Sequence, residues 1–284
     1  MKKAHSVPVL MYHHVSPSDG AITVSPKNFE DQLAWLARNG YCSLTTDEFA
    51  AHLQGEPIAD KSVLITFDDG YLDNWVYAYP LLKKYGYKAT IFIVTSWVGE
   101  GEARPVAGQG QVPHTPPHVE CEQRIAAGDA DSVMLRWSEI RAMQESGLIE
   151  FHSHTHTHTR WDKSERAHEK NSLIAQELEQ SRKTLIEKLG SVSEHFCWPQ
   201  GYFDADYVRV AQQAGFKYLY TTHAFGQNLA GSDPAHIHRF AVRNTTGASV
   251  GRRIQVASNP VIAPVFNRFK LWKRARRQKA QAGA

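Results

Sequence analysis

Short apolar runs alternate along this chain with longer segments in which apolar residues recur every three or four positions. The short runs predict buried β-strands, and the periodic segments, several of them followed by glycine, predict amphipathic helices. The predicted strands are 7–12, 63–67, 89–94, 148–151, 195–198 and 218–221. The predicted helices are 28–39, 75–85, 137–145, 173–189 and 205–214. Such regular alternation indicates an α/β protein with a parallel sheet, and this many units favour a closed or nearly closed barrel.

Two segments do not follow this alternation of strands and helices. Residues 99–132 are rich in Gly, Pro, His and Ala without a clear period, which is typical of a lid, a binding loop or a disordered insertion. Residues 265–284 form a tail with seven lysines and arginines and no acid, although the whole chain of 284 residues has a net charge of only +3. No Ser/Gly/Pro-rich linker divides the remainder, so we predict one catalytic domain over residues 1–264.

Composition argues against a disulfide-rich or membrane-spanning protein. The three cysteines are an odd number at irregular spacings, which indicates a reducing compartment. No run of about 18 apolar residues occurs, and the basic start of the chain leads into an apolar stretch too short for a signal peptide. We therefore expect a cytoplasmic protein.

Two adjacent carboxylates, Asp68 and Asp69, follow the strand predicted at 63–67, and Gly70 comes next. Active sites of parallel barrels lie at the carboxyl ends of the strands. Neighbouring carboxylates there repel each other unless a cation or a proton holds one of them. Taken alone, the segment fits a tight turn equally well.

Four alternating histidines, His152, His154, His156 and His158, end the strand predicted at 148–151 and continue beyond it. Protonation near neutral pH would make such a cluster repel itself, so metal ligation explains it better than packing does. A solvated, histidine-rich loop is the alternative. Two imidazoles and one carboxylate would leave coordination positions open for water and a substrate oxygen, as a catalytic site requires.

These motifs together resemble the polysaccharide deacetylases of the NodB-homology type, carbohydrate esterase family four. The resemblance covers roughly residues 7–243 and implies a single distorted (β/α) barrel of about seven strands. The family's first motif is similar to Thr-Phe-Asp-Asp-Gly at 66–70. Its first aspartate is the base and its second a metal ligand, so the resemblance assigns these roles to Asp68 and Asp69.

The second family motif carries two ligand histidines four residues apart. This spacing fits His154 with His158, and also His152 with His156. Family members commonly have Gly-Ser-His-Thr here, which favours His154 and His158. Zinc is the expected metal for two histidines and one aspartate, although iron, cobalt or nickel could use the same ligands.

The third family motif, Arg-x-Pro-Tyr-Gly, is only partly present. Residues 197–201 are Cys-Trp-Pro-Gln-Gly, so the arginine that usually supports the base is absent. This departure resembles the branch that contains poly-N-acetylglucosamine deacetylases. In that branch the backbone N–H of Gln200 would help the metal to stabilise an oxyanion, whereas Pro and Gly in a plain turn are the alternative.

The same branch is circularly permuted and takes its general acid from a Tyr-His context on the first strand. Met-Tyr-His-His-Val at 11–15 matches it, which assigns His13 as the acid and makes His14 a neighbour. His238 and His223 are the next candidates for this role.

The resemblance implies a metal-dependent hydrolase that removes the acetyl group from an N-acetylated sugar. The metal would polarise the carbonyl and activate a water, Asp68 would accept the water's proton, and His13 would protonate the departing amine. Nearby aromatic side chains could stack on sugar faces, although aromatics are equally good core material. These candidates are Tyr71, Trp137, Trp161, Trp198 and Tyr202.

The tail places apolar residues at three-and-four spacing among its basic residues. They are Ile262, Val265, Phe266, Phe269 and Trp272. A basic amphipathic helix of this kind is typical of an interfacial membrane anchor, and a disordered tail is the alternative. A nucleic-acid-binding tail has no support elsewhere in the chain, so we expect no nucleic-acid partner.

A membrane-seeking tail on a cytoplasmic deacetylase favours a lipid-linked or lipopolysaccharide-type precursor that carries N-acetylglucosamine or N-acetylgalactosamine. We therefore expect peripheral association with the inner face of the membrane. A soluble or exported polysaccharide is the alternative substrate. A non-catalytic carbohydrate-binding role is a further alternative, against which the intact base Asp68 argues.

Overall fold

The computed structural model describes residues 3–282, with side chains described as far as residue 278. The strands in this range are β1 (Val9–Tyr12), β2 (His14–Val15), β3 (Thr23–Val24), β4 (Cys42–Ser43), β5 (Ser62–Phe67), β6 (Ala89–Ile93), β7 (Ile149–Ser153), β8 (His195–Cys197), β9 (Tyr218–Tyr220) and β10 (Phe240–Ala241). The α-helices are α1 (Pro26–Arg38), α2 (Thr46–Leu53), α3 (Tyr79–Tyr85), α4 (His118–Ala126), α5 (Trp137–Glu145), α6 (Lys170–Leu189), α7 (Ala205–Gln213), α8 (Gly247–Ser258) and α9 (Ile262–Ala282). A π-helical turn over Asn74–Ala78 leads into α3.

Seven strands form one parallel sheet in the order β10-β1-β5-β6-β7-β8-β9, and β4 pairs with β5 beside this path. An isolated parallel bridge joins Tyr220, at the end of β9, to Ile237, just ahead of β10. The far edge of the sheet therefore lies against the segment that leads into its first strand, and the sheet curls toward closure. This confirms the predicted distorted (β/α) barrel of about seven strands.

Alternation along β5 places the first site carboxylate. Val63, Ile65 and Phe67 pack in the cluster between the sheet and the outer helices, whereas Leu64 packs in the inner cluster with Phe92 and Tyr220. Because successive side chains of a strand point to opposite faces, Asp68 continues the inner series of alternate positions. Its backbone N–H still donates to the carbonyl of Tyr12 (3.0 Å), so the strand pairing reaches this residue.

The insertion at 99–132 is more ordered than the sequence predicts. It contains helix α4, which buries Cys121 against Tyr71 and Met134 in a small cluster of its own. The prediction of an irregular segment was wrong here, because a nine-residue helix flanked by glycines and prolines has too few turns to show a clear period.

The basic tail is helical in the described residues. Helix α9 begins at Ile262, three residues ahead of the predicted start of the tail. Gly283 and Ala284 lie outside the described residues, and the division of the chain at residue 264 stays a prediction. Within the described range, no helix combines the length and the apolar character needed to cross a membrane.

Candidate active site and metal centre

The carboxyl ends of the strands surround a cavity of about 270 Å³. Most of the site residues predicted from the sequence line it: His13, Asp68, Asp69, Tyr71, His154, His158 and Gln200. Trp198 and Tyr202 do not. The fold thus brings the two aspartates, the preferred histidine pair and the candidate acid to one place.

One oxygen of Asp69 lies between two imidazoles. Its Oδ1 is 3.3 Å from Nε2 of His154 and 3.4 Å from Nε2 of His158. This oxygen is buried and makes no hydrogen bond. A buried carboxylate oxygen without a donor is costly, so the geometry favours a positive group among these three atoms.

The hydrogen bond on the far side of His154 sets its tautomer. Nδ1 of His154 lies 2.8 Å from the carbonyl oxygen of Cys197, an acceptor, so Nδ1 carries the proton. In the neutral ring Nε2 then carries a lone pair that is directed at Asp69. Ligand histidines in metal sites are oriented by a second partner in the same way. These residues fit a divalent cation with one carboxylate and two imidazole ligands.

The ionisation of this group favours the same assignment. Burial alone would raise the pKa of Asp69, but His154 and His158 outweigh it and hold the pKa well below its usual value. Burial lowers the pKa of His158 to about 4, which leaves a neutral ring. Burial also opposes protonation of His154, yet Cys197 and Asp69 raise its pKa, so this position attracts a proton as well as a cation. Metal and proton therefore compete for one position.

The chain reverses sharply around the ligands. Asp69 has φ = 73° and Gly70 has φ = 83°, and a Cβ on Gly70 would lie 2.8 Å from Cγ2 of Ile93. The turn directs the two neighbouring carboxylates to different partners, so that Asp69 contacts His154 and His158 while Asp68 pairs with Arg239. His158 also has a positive φ of 61°, and its N–H donates to Oγ1 of Thr155 (3.0 Å).

Glu177 on α6 holds the histidine loop in this conformation. Its carboxylate accepts hydrogen bonds from the backbone N–H groups of His156 (2.9 Å) and Thr157 (2.7 Å). It also accepts one from the Thr157 hydroxyl (2.6 Å). Because Glu177 is itself buried, this anchor fixes the loop more firmly than a surface contact would.

The other pair of histidines with the same spacing is directed elsewhere. His152 lies between the hydroxyls of Thr46 (2.9 Å) and Ser193 (2.7 Å), and burial lowers its pKa to about 4. His156 interacts with the hydroxyl of Thr95 (2.9 Å). Neither lines the cavity. The geometry is therefore that of the preferred register, His154 with His158.

The predicted base, Asp68, forms a bidentate ion pair with Arg239. Nη1 of Arg239 lies 2.6 Å from Oδ1 and Nη2 lies 2.8 Å from Oδ2. Both side chains are almost fully buried. Burial would raise the pKa of Asp68, but the guanidinium lowers it below the usual value and keeps the carboxylate ionised. The remaining Arg239 donors reach the carbonyl of Thr221 (2.9 Å) and the hydroxyl of Thr66 (3.2 Å).

Arg239 supplies the support that the third motif lacks. It precedes β10, whereas the family's usual arginine would stand at 197, where this chain has a cysteine. Nη2 of Arg239 also contacts Sγ of Cys197 (2.9 Å). The sequence pattern does not reveal this residue, because the strand that follows it, β10, has only two residues and carries no periodic signal.

A second group of possible ligands, Asp68, His154 and Cys197, also brings its atoms within 4.8 Å of one another. Both oxygens of Asp68 already accept from Arg239, and burial raises the pKa of the Cys197 thiol. The guanidinium beside Asp68 disfavours a second cation there, so the Asp69 group is the candidate metal centre.

Two adjacent histidines at the end of β1 have different environments. His13 lines the cavity, and its Nε2 is 3.9 Å from Oδ2 of Asp68. Burial lowers its pKa, which makes the protonated ring a stronger acid. His14 is directed away from Asp68 and lies 2.6 Å from Asp73. The alternative acids, His223 and His238, do not line the cavity.

The loop after β8 contributes Gln200 and Gly201 to the cavity wall. Both have positive φ, 52° and 70°, and a Cβ on Gly201 would collide with the side chain of Thr222. This close approach requires glycine, so the Pro-x-Gly motif places the backbone of Gln200 at the cavity. The Gln200 side chain accepts from Nη1 of Arg160 (3.3 Å).

Several predicted sugar-stacking aromatics belong to the core instead. Trp198 is fully buried and packs in one cluster with Phe196 and Tyr207, and Trp137 is 98% buried in another. The guanidinium carbon of Arg160 lies 4.3 Å from the centroid of the Tyr202 ring. Trp161 is half-buried and does not line the cavity. Tyr71 lines the cavity, as does Trp97, which sequence reasoning missed.

The chain is similar to known polysaccharide deacetylases. The model of the polysaccharide deacetylase family matches residues 55–219. The chain is 48% identical to YxkH of Bacillus subtilis over 99 residues, 34% of this chain and 35% of that protein. It is 29% identical over 201 residues, 69% of this chain, to the poly-beta-1,6-N-acetyl-D-glucosamine N-deacetylase of Staphylococcus aureus, and covers 60% of it. The match thus spans about a third to three fifths of these relatives.

Two solved structures share the fold. The deacetylase PplD of Streptococcus pyogenes, in complex with acetate, has a TM-score of 0.69 at 23% identity, with 88% of this chain and 99% of that chain covered. IcaB from Ammonifex degensii has a TM-score of 0.70 at 24% identity, with 89% and 98% covered. Since the family model matches more than half of the residues, this chain belongs to the polysaccharide deacetylase family.

Proposed function

We propose that this protein is a metal-dependent N-deacetylase of N-acetylated glycans of the poly-N-acetylglucosamine type. The observation that carries the proposal is the pairing of two groups in one cavity. Asp69, His154 and His158 direct acceptor atoms at one point, and the ionised carboxylate of Asp68 lies beside them. The name of the Staphylococcus aureus relative supports the substrate class.

A divalent cation held by Asp69, His154 and His158 would supply Lewis-acid polarisation of the acetyl carbonyl and lower the pKa of a water. Asp68, oriented and kept ionised by Arg239, accepts a proton from that water. The backbone N–H of Gln200 donates to the carbonyl oxygen as negative charge develops on it. His13 donates a proton to the amide nitrogen as the C–N bond breaks, which yields acetate and a free amino sugar.

The experiment that tests this function measures metal content and acetate release together. Protein stripped with a chelator and reloaded with zinc, cobalt, nickel or iron is incubated with oligomers of β-1,6-linked N-acetylglucosamine. Acetate release should require the metal and disappear in Asp68→Asn. If the metal-loaded protein binds these sugars but releases no acetate from any of them, it is a carbohydrate-binding protein and the proposal fails.

Within this function, the surface of α9 supports a lipid-linked substrate. Its large apolar side chains lie outward, with Val265 70%, Phe269 53% and Trp272 53% exposed. Positions 262, 265, 269 and 272 share one face of the helix, and Arg268, Lys273 and Arg276 flank it. The opposite side is occupied, because Ala263 and Asn267 are buried and Phe266 packs on Arg253 (4.9 Å).

An exposed aromatic face flanked by cations is suited to the surface of an anionic membrane. Each basic residue near such a surface contributes about 1 kcal/mol, and burial of the apolar face supplies the remainder. Docking there would bring the cavity to glycan precursors carried on lipid, of which a lipopolysaccharide precursor is one kind.

Full-length protein should co-sediment with vesicles that contain phosphatidylglycerol and not with neutral vesicles. The double variant Phe269→Ser, Trp272→Ser should lose most of this binding, yet release acetate from a soluble oligomer as the wild type does. Binding should also weaken as salt rises toward physiological strength, where the Debye length is about 8 Å. If the wild type does not bind anionic vesicles at low salt, the membrane argument fails, and with it the main reason to prefer a lipid-linked substrate over a soluble or exported polysaccharide.

A further inference from the structure

A chain of buried and partly buried hydrogen bonds runs from Asp73, through His14 on β2, to the insertion at 99–132. Oδ2 of Asp73 lies 2.6 Å from Nδ1 of His14, and Nε2 of His14 lies 3.2 Å from Nδ1 of His118. His118 is the first residue of α4 and lines the same cavity as the metal centre. The mechanism proposed above uses none of these three residues.

The directions of these hydrogen bonds follow from Asp73. Its other oxygen accepts from the backbone N–H of Val15 (2.8 Å) and from Nδ2 of Asn74 (3.0 Å), so the carboxylate acts as an acceptor throughout. Nδ1 of His14 must therefore donate to it, and we assign Nε2 of His14 as the acceptor of the next hydrogen bond in the chain. His118 then donates from Nδ1, and this nitrogen also lies 3.2 Å from the hydroxyl of Tyr71.

With this assignment the far nitrogen of His118, Nε2, is an acceptor, and no donor among the described residues is hydrogen-bonded to it. Its nearest charged neighbour is Oε1 of Glu122, at 3.6 Å, which is also an acceptor. Burial and the nearby His14 lower the pKa of His118, which favours the neutral ring. Glu122 also lines the cavity. Two acceptors thus face each other at the cavity wall, and a group that offers hydrogens would satisfy both.

We propose that Nε2 of His118 and Oε1 of Glu122 form a substrate subsite for a hydrogen-bond donor on the sugar unit next to the acetamide that is cleaved. The donor is a hydroxyl or a protonated amine. Asp73 and His14 are positioning residues, since they fix the tautomer of His118 and hold the start of α4 against the strand. This inference rests on the proposed deacetylase function and assigns part of its substrate specificity to the insertion.

The test compares kcat and KM for acetate release from three substrates. They are a single-sugar N-acetyl analogue, a fully acetylated β-1,6-linked trimer and a trimer in which one unit is already a free amine. Glu122→Gln and His118→Ala should raise KM for the trimers about tenfold, in line with one lost hydrogen bond to a charged or oriented group, while kcat stays within about twofold. Neither variant should affect the single-sugar analogue.

Two further variants distinguish a role in substrate binding from a role in the structure of α4. Glu120→Gln on the same helix is the matched control, because Glu120 pairs with Arg124 (2.6 Å) and does not line the cavity, and its KM should equal that of the wild type. His14→Asn retains a donor for Asp73, but its shorter side chain cannot also reach His118. It should therefore raise KM for the trimers as His118→Ala does, without lowering kcat.

The two trimers identify the donor. A larger effect of Glu122→Gln on the partly deacetylated trimer assigns a protonated amine, and equal effects on both trimers assign a hydroxyl. Unchanged KM for both trimers in Glu122→Gln and His118→Ala would overturn the subsite while acetate release by the wild type upholds the enzyme. A wild type that releases no acetate from any of the three substrates would overturn the proposed function itself.

Discussion

The two sides of the cavity hold their carboxylates in different ways. On the metal side, Asp69 faces two imidazoles that come from a single loop, four residues apart. On the base side, Asp68 forms a bidentate ion pair with Arg239, which is 171 positions away in the chain. The two adjacent aspartates thus differ in function, because Asp68 has a permanent counter-charge and Asp69 does not. The unpaired carboxylate can take a metal, and the paired one stays ionised as a base.

The largest expected effect is loss of the metal. Asp69→Ala, His154→Ala and His158→Ala each remove one of three protein ligands, so metal content measured by mass spectrometry should fall to background and acetate release with it. His156→Ala is the matched control, because its ring contacts Thr95 instead. Retention of metal by the His154 and His158 variants, with loss in His152 and His156 variants, would show that the other histidine register binds it.

Removal of the base should abolish turnover without affecting metal binding. Asp68→Asn cannot accept a proton, so turnover should fall by at least the ~10²- to 10⁴-fold typical of general acid–base groups. The metal content should remain that of the wild type, since neither oxygen of Asp68 belongs to the metal centre. An Asp68→Asn protein without metal would show that the two sides are not independent.

The adjacent histidines His13 and His14 should respond in opposite ways. His13→Ala should lose about 10²- to 10⁴-fold in kcat with an unchanged unfolding midpoint, because its ring lines the cavity. His14→Ala should affect kcat much less but lower the unfolding midpoint, because it leaves the buried carboxylate of Asp73 short of a donor. Near-wild-type turnover in His13→Ala would transfer the acid role to another group.

The ion pair between Asp68 and Arg239 predicts a change in stability as well as in activity. Arg239→Met should cost about 3–5 kcal/mol in the free energy of unfolding, because it leaves a buried carboxylate without its partner. Arg239→Lys keeps the charge but not the bidentate geometry, and should retain more stability with a modest loss of turnover. Denaturant unfolding and initial rates measure both, and equal stability of wild type and Arg239→Met would refute the structural role of the pair.

The sequence predicts most of the strands and the metal side for a physical reason. The strands of the barrel's core are buried on both faces, so they appear as apolar runs, and β5 is buried at all six positions. Parallel strands end at the same edge, so polar residues after two such runs must meet. β10 and α4 were missed because two residues, or nine in a Gly/Pro-rich segment, carry too little periodicity.

By itself the sequence determined the barrel, the metal-ligand types and the paired carboxylates, because these depend on local patterning and on spacing within a loop. Only the tertiary structure decided which histidines face the cavity. It also decided that Arg239 replaces the missing arginine, that Trp198 is core, and that α4 brings His118 to the site. The reason is that a side chain's partner depends on how distant segments pack, and burial makes such pairings between charges obligatory.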